Sequence, residues 1–197
     1  AAISTRFTPS AGVPVLSGTV DIASLQSDRV YQANSNITLT STGNIPKGKW
    51  VVIKALNNNV TINSNITYTN EALNRVSELP QVVIMANNIT INRGVSRVDS
   101  WLLAQGTGTN GALKTCDVTN QSDLTSRICE TRLRINGPVI ANRLLLYRTG
   151  GAEPGNQSGV PAEIFNIRPD AYLWATEFAS STGRLPTVST KELPPRF

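Results

Sequence analysis

The sequence has no histidine, and so lacks the side chain that most often serves as general base, metal ligand and pH switch. It also has no stretch of about eighteen consecutive apolar residues, so nothing in it reads as a membrane-spanning helix. No P-loop, dinucleotide-binding glycine fingerprint, nucleophile-elbow serine or zinc-ligand cluster is present. The thirteen acidic residues are isolated from one another, so a carboxylate pair for sugar hydrolysis could come together only through the fold. These absences leave no catalytic residue, no cofactor and no metal to be expected. No run of Pro, Gly and Ser divides the 197 residues, which predicts one cored domain.

Charge is sparse too. Charged residues make up 16% of the chain, and the eighteen basic ones are scattered without a dense cluster interleaved with aromatics, so no nucleic-acid partner is expected. The net charge of +5 instead suits a weakly cationic surface facing an anionic cell-wall polymer or glycan.

What the chain does have is repetition. Asn88-Ile89-Thr90-Ile91-Asn92 echoes Asn59-Val60-Thr61-Ile62-Asn63 upstream, Leu133-Arg134-Ile135-Asn136 downstream, and more weakly Asn36-Ile37-Thr38-Leu39-Thr40. Each copy alternates aliphatic with polar residues and then breaks at Asn, Gly or Ser, the pattern of a short half-buried strand ending at a turn. The predicted fold is all-β: a right-handed parallel β-helix, or solenoid, whose coils take roughly twenty to thirty residues each. An antiparallel β-sandwich is the alternative, since it also uses short strands at regular spacing.

Along the chain, residues 1–28 carry four turn-forming Pro and Gly residues among alternating valines and predict an extended N-terminal arm. The start, Ala1-Ala2-Ile3-Ser4, fits either the mature end left by removal of a signal or anchor segment or an arbitrary boundary. Residues 29–165 form the predicted solenoid. Lys47, Lys49 and Lys54 are expected as solvated edge charges, and Asn70-Glu71 opens a predicted two-turn helix ending before Pro80. Asn87-Asn88 and Gly94 are expected at turns that take the left-handed conformation.

The polar stretch 106–130 is expected as a loop excursion carrying both cysteines. A Cys116–Cys129 disulfide would close a short loop and stabilise by on the order of 3 kcal/mol in an oxidising compartment, with two separate buried thiols as the alternative. Residues 166–197 predict a helix from about Pro169 to Ala179, capping the solenoid's open end or meeting another subunit, followed by an extended tail.

Several weaker constellations are present. Asp99, Asp117, Asp123 and Glu130 are either solvated loop charges or a cation site, and Arg93, Arg97 and Asp99 are the candidates for a polysaccharide-cleaving face. Trp50, Trp101 and Tyr147 are the rings available for a carbohydrate platform. Six Asn-x-Ser/Thr triplets begin at Asn36, Asn59, Asn65, Asn88, Asn120 and Asn156, and the first four fall within the strand repeat, where structural repetition explains them. Thr38 with Thr40, and Thr67 with Thr69, are candidates for a flat threonine array, which is not continued in the later copies.

The C-terminal two-thirds carries a resemblance in Asn88–Asn92, Trp101-Leu102-Leu103-Ala104-Gln105-Gly106, the cysteine pair, Ile135-Asn136-Gly137-Pro138-Val139, Arg168-Pro169-Asp170-Ala171-Tyr172-Leu173-Trp174 and the terminal Glu192-Leu193-Pro194-Pro195-Arg196-Phe197. Together these resemble uncharacterised secreted or membrane-anchored surface proteins of ultrasmall, reduced-genome bacteria. The resemblance implies a cell-envelope location, secreted or surface-bound, and no functional residues. The expected function is a non-enzymatic structural or surface-interaction subunit that assembles with copies of itself through its terminal arms. Its only route to a membrane would be an anchor outside or removed from this sequence. A carbohydrate-binding adhesin and a β-helix polysaccharide-cleaving enzyme are the alternatives.

Overall fold

A computed structural model describes residues 7–119, 122, 128–150 and 161–182. The protein is all-β apart from one C-terminal helix. Its strands are β1 (Leu16–Asp21), β2 (Arg29–Thr40), β3 (Trp50–Ile62), β4 (Gln81–Ile91), β5 (Arg97–Asp99), β6 (Trp101–Ala104), β7 (Ala112–Lys114), β8 (Leu133–Asn136), β9 (Val139–Ala141), β10 (Arg143–Leu145) and β11 (Glu163–Asn166), and helix α1 spans Pro169–Thr182.

Eight strands form one sheet. β1-β2-β3-β4-β6-β9 lie side by side, β7 pairs with the second half of β4, and β10 pairs with β7. A second sheet runs β11-β8-β5. Every ladder among the described residues is parallel, which overturns the antiparallel sandwich. The sequence repeat becomes register: Ile37 sits beside Val60, Val60 beside Ile89, Ile89 beside Leu113 and Leu113 beside Leu144. Similarly Tyr31 aligns with Ile53, Ile84, Leu102 and Val139 in turn. A one-residue slip would turn each apolar column to the wrong face, so burial fixes these alignments.

The long strands have two different halves. In Val51-Val52-Ile53 and Val82-Val83-Ile84-Met85 the apolar residues are consecutive, so both faces of the sheet need cover there. One face packs into a cluster shared with the second sheet, with Ile53, Ile84, Val98 and Ile135 all fully buried. The other face, Val52, Val83, Met85 and Leu103, is covered by Trp174 of α1 and by Phe7. Farther along the same strands, Asn59-Val60-Thr61-Ile62 and Asn88-Ile89-Thr90-Ile91 alternate, so only one face is apolar and the other stays polar. This explains where α1 sits. The helix is seated on the doubly apolar face of the sheet rather than over an open end, because that face is the apolar surface left without a partner.

Several local expectations need correction. Asn87-Asn88 lies inside the continuous strand β4, and among the described residues the only non-glycine positions with positive φ are Asp28 and Cys129. The asparagines bridge strands instead of turning the chain: Asn88 Nδ2 donates to Asn59 Oδ1 at 2.9 Å, and the Asn59 N–H donates to Asn36 Oδ1 at 2.8 Å. Gly94 also lacks positive φ; its turn is closed by the Gly94 N–H donating to Asn92 Oδ1 at 3.0 Å. In place of the two-turn helix from Asn70 there is a single 3-10 turn, Val76–Glu78. So short a segment is marginal as a helix, and the Glu78 carboxylate instead accepts the Asn74 N–H at 2.7 Å.

The predicted excursion 106–130 contains a sheet strand, β7, because Leu113 is needed to fill the Ile89 column. The predicted arm likewise contains β1, which pairs with β2, while the Ser10 N–H donates to the Val30 carbonyl at 2.9 Å. Residues 1–6, most of the loop 150–161 and the tail after Thr182 lie outside the described residues.

Candidate functional site

The acid that the sequence offered to a catalytic face is the most enclosed carboxylate in the described chain. Asp99 ends β5 with no exposure, and its oxygens accept Arg97 Nε and Nη2 at 2.9 and 2.8 Å, the Tyr68 N–H at 3.1 Å and Asn136 Nδ2 at 2.5 Å. Arg168 reaches it at 3.9 Å from the start of α1, pairs with Asp170 at 2.5 Å, and lies 4.8 Å over the Tyr68 ring. Burial by itself would lower the Arg168 pKa, but the Asp170 pair outweighs it and holds the guanidinium above its ordinary value. The Tyr68 hydroxyl accepts the Val82 N–H at 2.8 Å, and burial pushes its pKa upward. The Asp99 carboxylate is spent entirely on the protein. The network fastens the second sheet to Tyr68 and to the start of α1, and it leaves no acid open to a substrate.

Arg93, the third member of that triad, points to a different partner, pairing with Asp117 at 2.9 Å. Burial would raise the Asp117 pKa, but the side-chain and backbone hydrogen bonds from Arg93 hold the carboxyl below its usual range. Cys116 and Cys129 are bonded to each other beside this pair, with Cα atoms 6.0 Å apart. Arg148 locks the same corner. Its guanidinium is buried and donates to the carbonyls of Thr115, Arg93, Thr131 and Asn92, and burial lowers its pKa to about 10. Sequence reasoning missed Arg148, whose only signal was a lone charge ending the apolar run Leu144–Tyr147.

Of the four candidate acids for a cation site, Asp123 lies outside the described residues, Glu130 is exposed, and Asp99 and Asp117 are taken by different arginines. No three metal-ligating acidic or sulfur side chains converge among the described residues.

The lysines expected as solvated edge charges act as staples. Lys49 Nζ donates to the Ala23 carbonyl at 2.7 Å, Lys54 Nζ to the Phe7 carbonyl at 2.5 Å, and Lys47 pairs with Glu78 at 3.1 Å. Burial lowers the pKa of both Lys49 and Lys54.

The aromatic platform is not assembled. Trp50 and Trp101 lie 6.0 and 6.1 Å from Trp174 under α1, and Tyr147 packs by the disulfide. The aromatic cluster under α1 borders a groove of about 710 Å³ lined by Phe7, Trp50, Trp174, Phe178, Asp28 and Glu177.

The uncovered half of the sheet presents a regular polar face. Thr19, Thr38, Thr61 and Thr90 are consecutive register partners, with Lys114 next in line. This threonine column runs across four strands; of the threonines expected as an array only Thr38 belongs to it, Thr40 aligning with Asp21 and Thr67 and Thr69 lying outside the strands. Its members come from separate copies, so alignment between strands was needed to see it. Asn36, Asn59 and Asn88 run beside it; Asn120 and Asn156 lie outside the described residues.

The outer strands of the sheets differ from the inner ones. Among the described strands, β1, β9, β10 and β11 pair on one side only, and β5 has one strand partner plus a single bridge from Val98 to Ile66. Val15 next to β1 is 56% exposed, and the far end exposes Ile140, Leu144 and Phe165. Compared with protein-family models, curated proteins and solved structures, the chain matches none.

Proposed function

We propose that the chain is a non-enzymatic structural subunit of the extracytoplasmic surface: a right-handed parallel β-solenoid that extends end to end with further copies of itself. The observation that carries this reading is the parallel in-register ladder that ends on both sides in a one-sided strand flanked by exposed apolar residues. Such an edge offers unpaired N–H and C=O groups to another chain. Because the two ends are different surfaces, copies joining through them make a head-to-tail contact, and such contacts give open filaments unless the rotation closes a ring. The apolar columns support the solenoid reading, and its hand follows from the strong right-handed preference of parallel crossovers. The disulfide supports an oxidising compartment. No helix among the described residues is long and apolar enough to cross a membrane.

The test is light scattering after size-exclusion chromatography, with electron microscopy of the same fractions. The full chain is expected to give mass that grows with concentration and rods of one width. Leu144→Lys together with Ile140→Lys places charge on the terminal edge and is expected to give monomers with an unchanged β-sheet spectrum. A full chain that stays monomeric at high concentration sinks the proposal.

A further inference from the structure

The outward column of the second sheet is basic. Arg97 of β5 is the register partner of Arg134 of β8, and Ile164 of β11 follows in the same line. Neighbouring strands lie about 4.8 Å apart, so two guanidinium-bearing side chains leave the sheet side by side, an arrangement that costs stability when like charges face each other. With Arg132 and Ser96 they line one open hollow of about 270 Å³. Arg97 uses Nε and Nη2 on Asp99, which leaves its Nη1 amino group for another acceptor. Arg134 is exposed, and no ion pair holds its side chain among the described residues.

We propose that this hollow binds an oxyanion of an acidic polysaccharide, a carboxylate or a sulfate ester, between Arg97 and Arg134. Arg134 offers a planar guanidinium fork that matches such a group in a pair of hydrogen bonds, Arg97 adds its Nη1, and the anion supplies the counter-charge that Arg134 lacks. The backbone beneath them is rigid: the Arg134 N–H donates to the Ser96 carbonyl at 2.9 Å, and Asn65 Oδ1 accepts the Ser96 and Arg97 N–H groups at 2.8 and 3.1 Å. The lining carries no aromatic ring on which a base could stack, which favours a polysaccharide over a single-stranded nucleic acid. The inference rests on the extracytoplasmic location in the reading above, but each separate chain carries the hollow, so it does not need assembly.

Binding is measured on the monomeric fraction, by biolayer interferometry against immobilised polygalacturonate, dextran sulfate, neutral dextran and polyuridylate at low and physiological salt. The expected result is binding to one or both acidic polysaccharides but not to dextran, weakening as salt rises. R132Q/R134Q is expected to bind about tenfold or more weakly. R29Q/R143Q removes the same charge away from the hollow and is expected to bind like the parent. R134Q alone serves should the double variant fold poorly, as judged by circular dichroism. Equal loss in both double variants, tighter binding to polyuridylate than to either acidic polysaccharide, or no binding at low salt each overturns the proposal. A failure of assembly shows in light scattering and leaves this measurement unaffected.

Discussion

At the scale of single residues, charges in this protein are mostly used up in holding it together. Asp99 has no exposure and serves two arginines, an asparagine and a backbone N–H. Removing it leaves the buried ends of those partners uncompensated, so Asp99→Ala is expected to cost about 3 kcal/mol or more, read as a lower urea midpoint with an unchanged slope. Asp117 gives a pH signature. Its carboxyl is held below the usual range in the folded chain, so the unfolded chain binds the proton more readily. The stabilisation is therefore complete above the ordinary carboxylate range and is lost as pH falls through it, below about 4. Thermal unfolding from pH 7 to pH 3 should show the parent losing more stability than Asp117→Asn, with the gap between them closing at the acid end. Sequence could name Arg93, Arg97 and Asp99 as a set because they are close in the chain. It could not see that Arg93 turns to Asp117, which belongs to the next stretch of the fold.

At the scale of elements, α1 was legible from Pro169, Asp170 and the spacing of Trp174 and Phe178. Its seat was not, although the consecutive apolar residues in β3 and β4 mark the face that needs it. Trp174 is the anchor, packed against Trp50, Trp101 and Phe178. Trp174→Ala is expected to cost about 3 kcal/mol of packing. The helical part of the circular-dichroism signal should then melt ahead of the sheet, and α1 amides should exchange with solvent faster than those of β3. A single cooperative transition identical to the parent's would show that the helix is held by something else. The turn between β8 and β9 depends on a distant neighbour: a Cβ on Gly137 would collide with the Ser100 carbonyl between β5 and β6, so glycine lets these two corners of the chain sit so close.

At the scale of the whole molecule, the parallel ladder has a direction, and that makes its ends unlike each other. The terminal-edge lysines introduced in the assembly experiment therefore act at one end only, and are expected to stop rods from lengthening without changing the width of any that form. The polar threonine and asparagine face and the arginine hollow lie on faces of the sheets, not on the unpaired strand edges. End-to-end growth would repeat both along a fibre, turning one weak anion contact per chain into many in a row.

The sequence by itself determined that this is a β protein with a C-terminal helix, because alternation, consecutive apolar runs and helix-start residues are signals written within a few positions of each other. The nearness of Cys116 to Cys129 was also local, and the disulfide is present. Only the tertiary structure decided that the strands run parallel rather than antiparallel, that α1 covers a sheet face, that four threonines fall in one column, and that Arg97 stands beside Arg134. Those outcomes depend on register between strands far apart in the chain. That register is set by which apolar residues must be buried together, and no short window of sequence contains both partners.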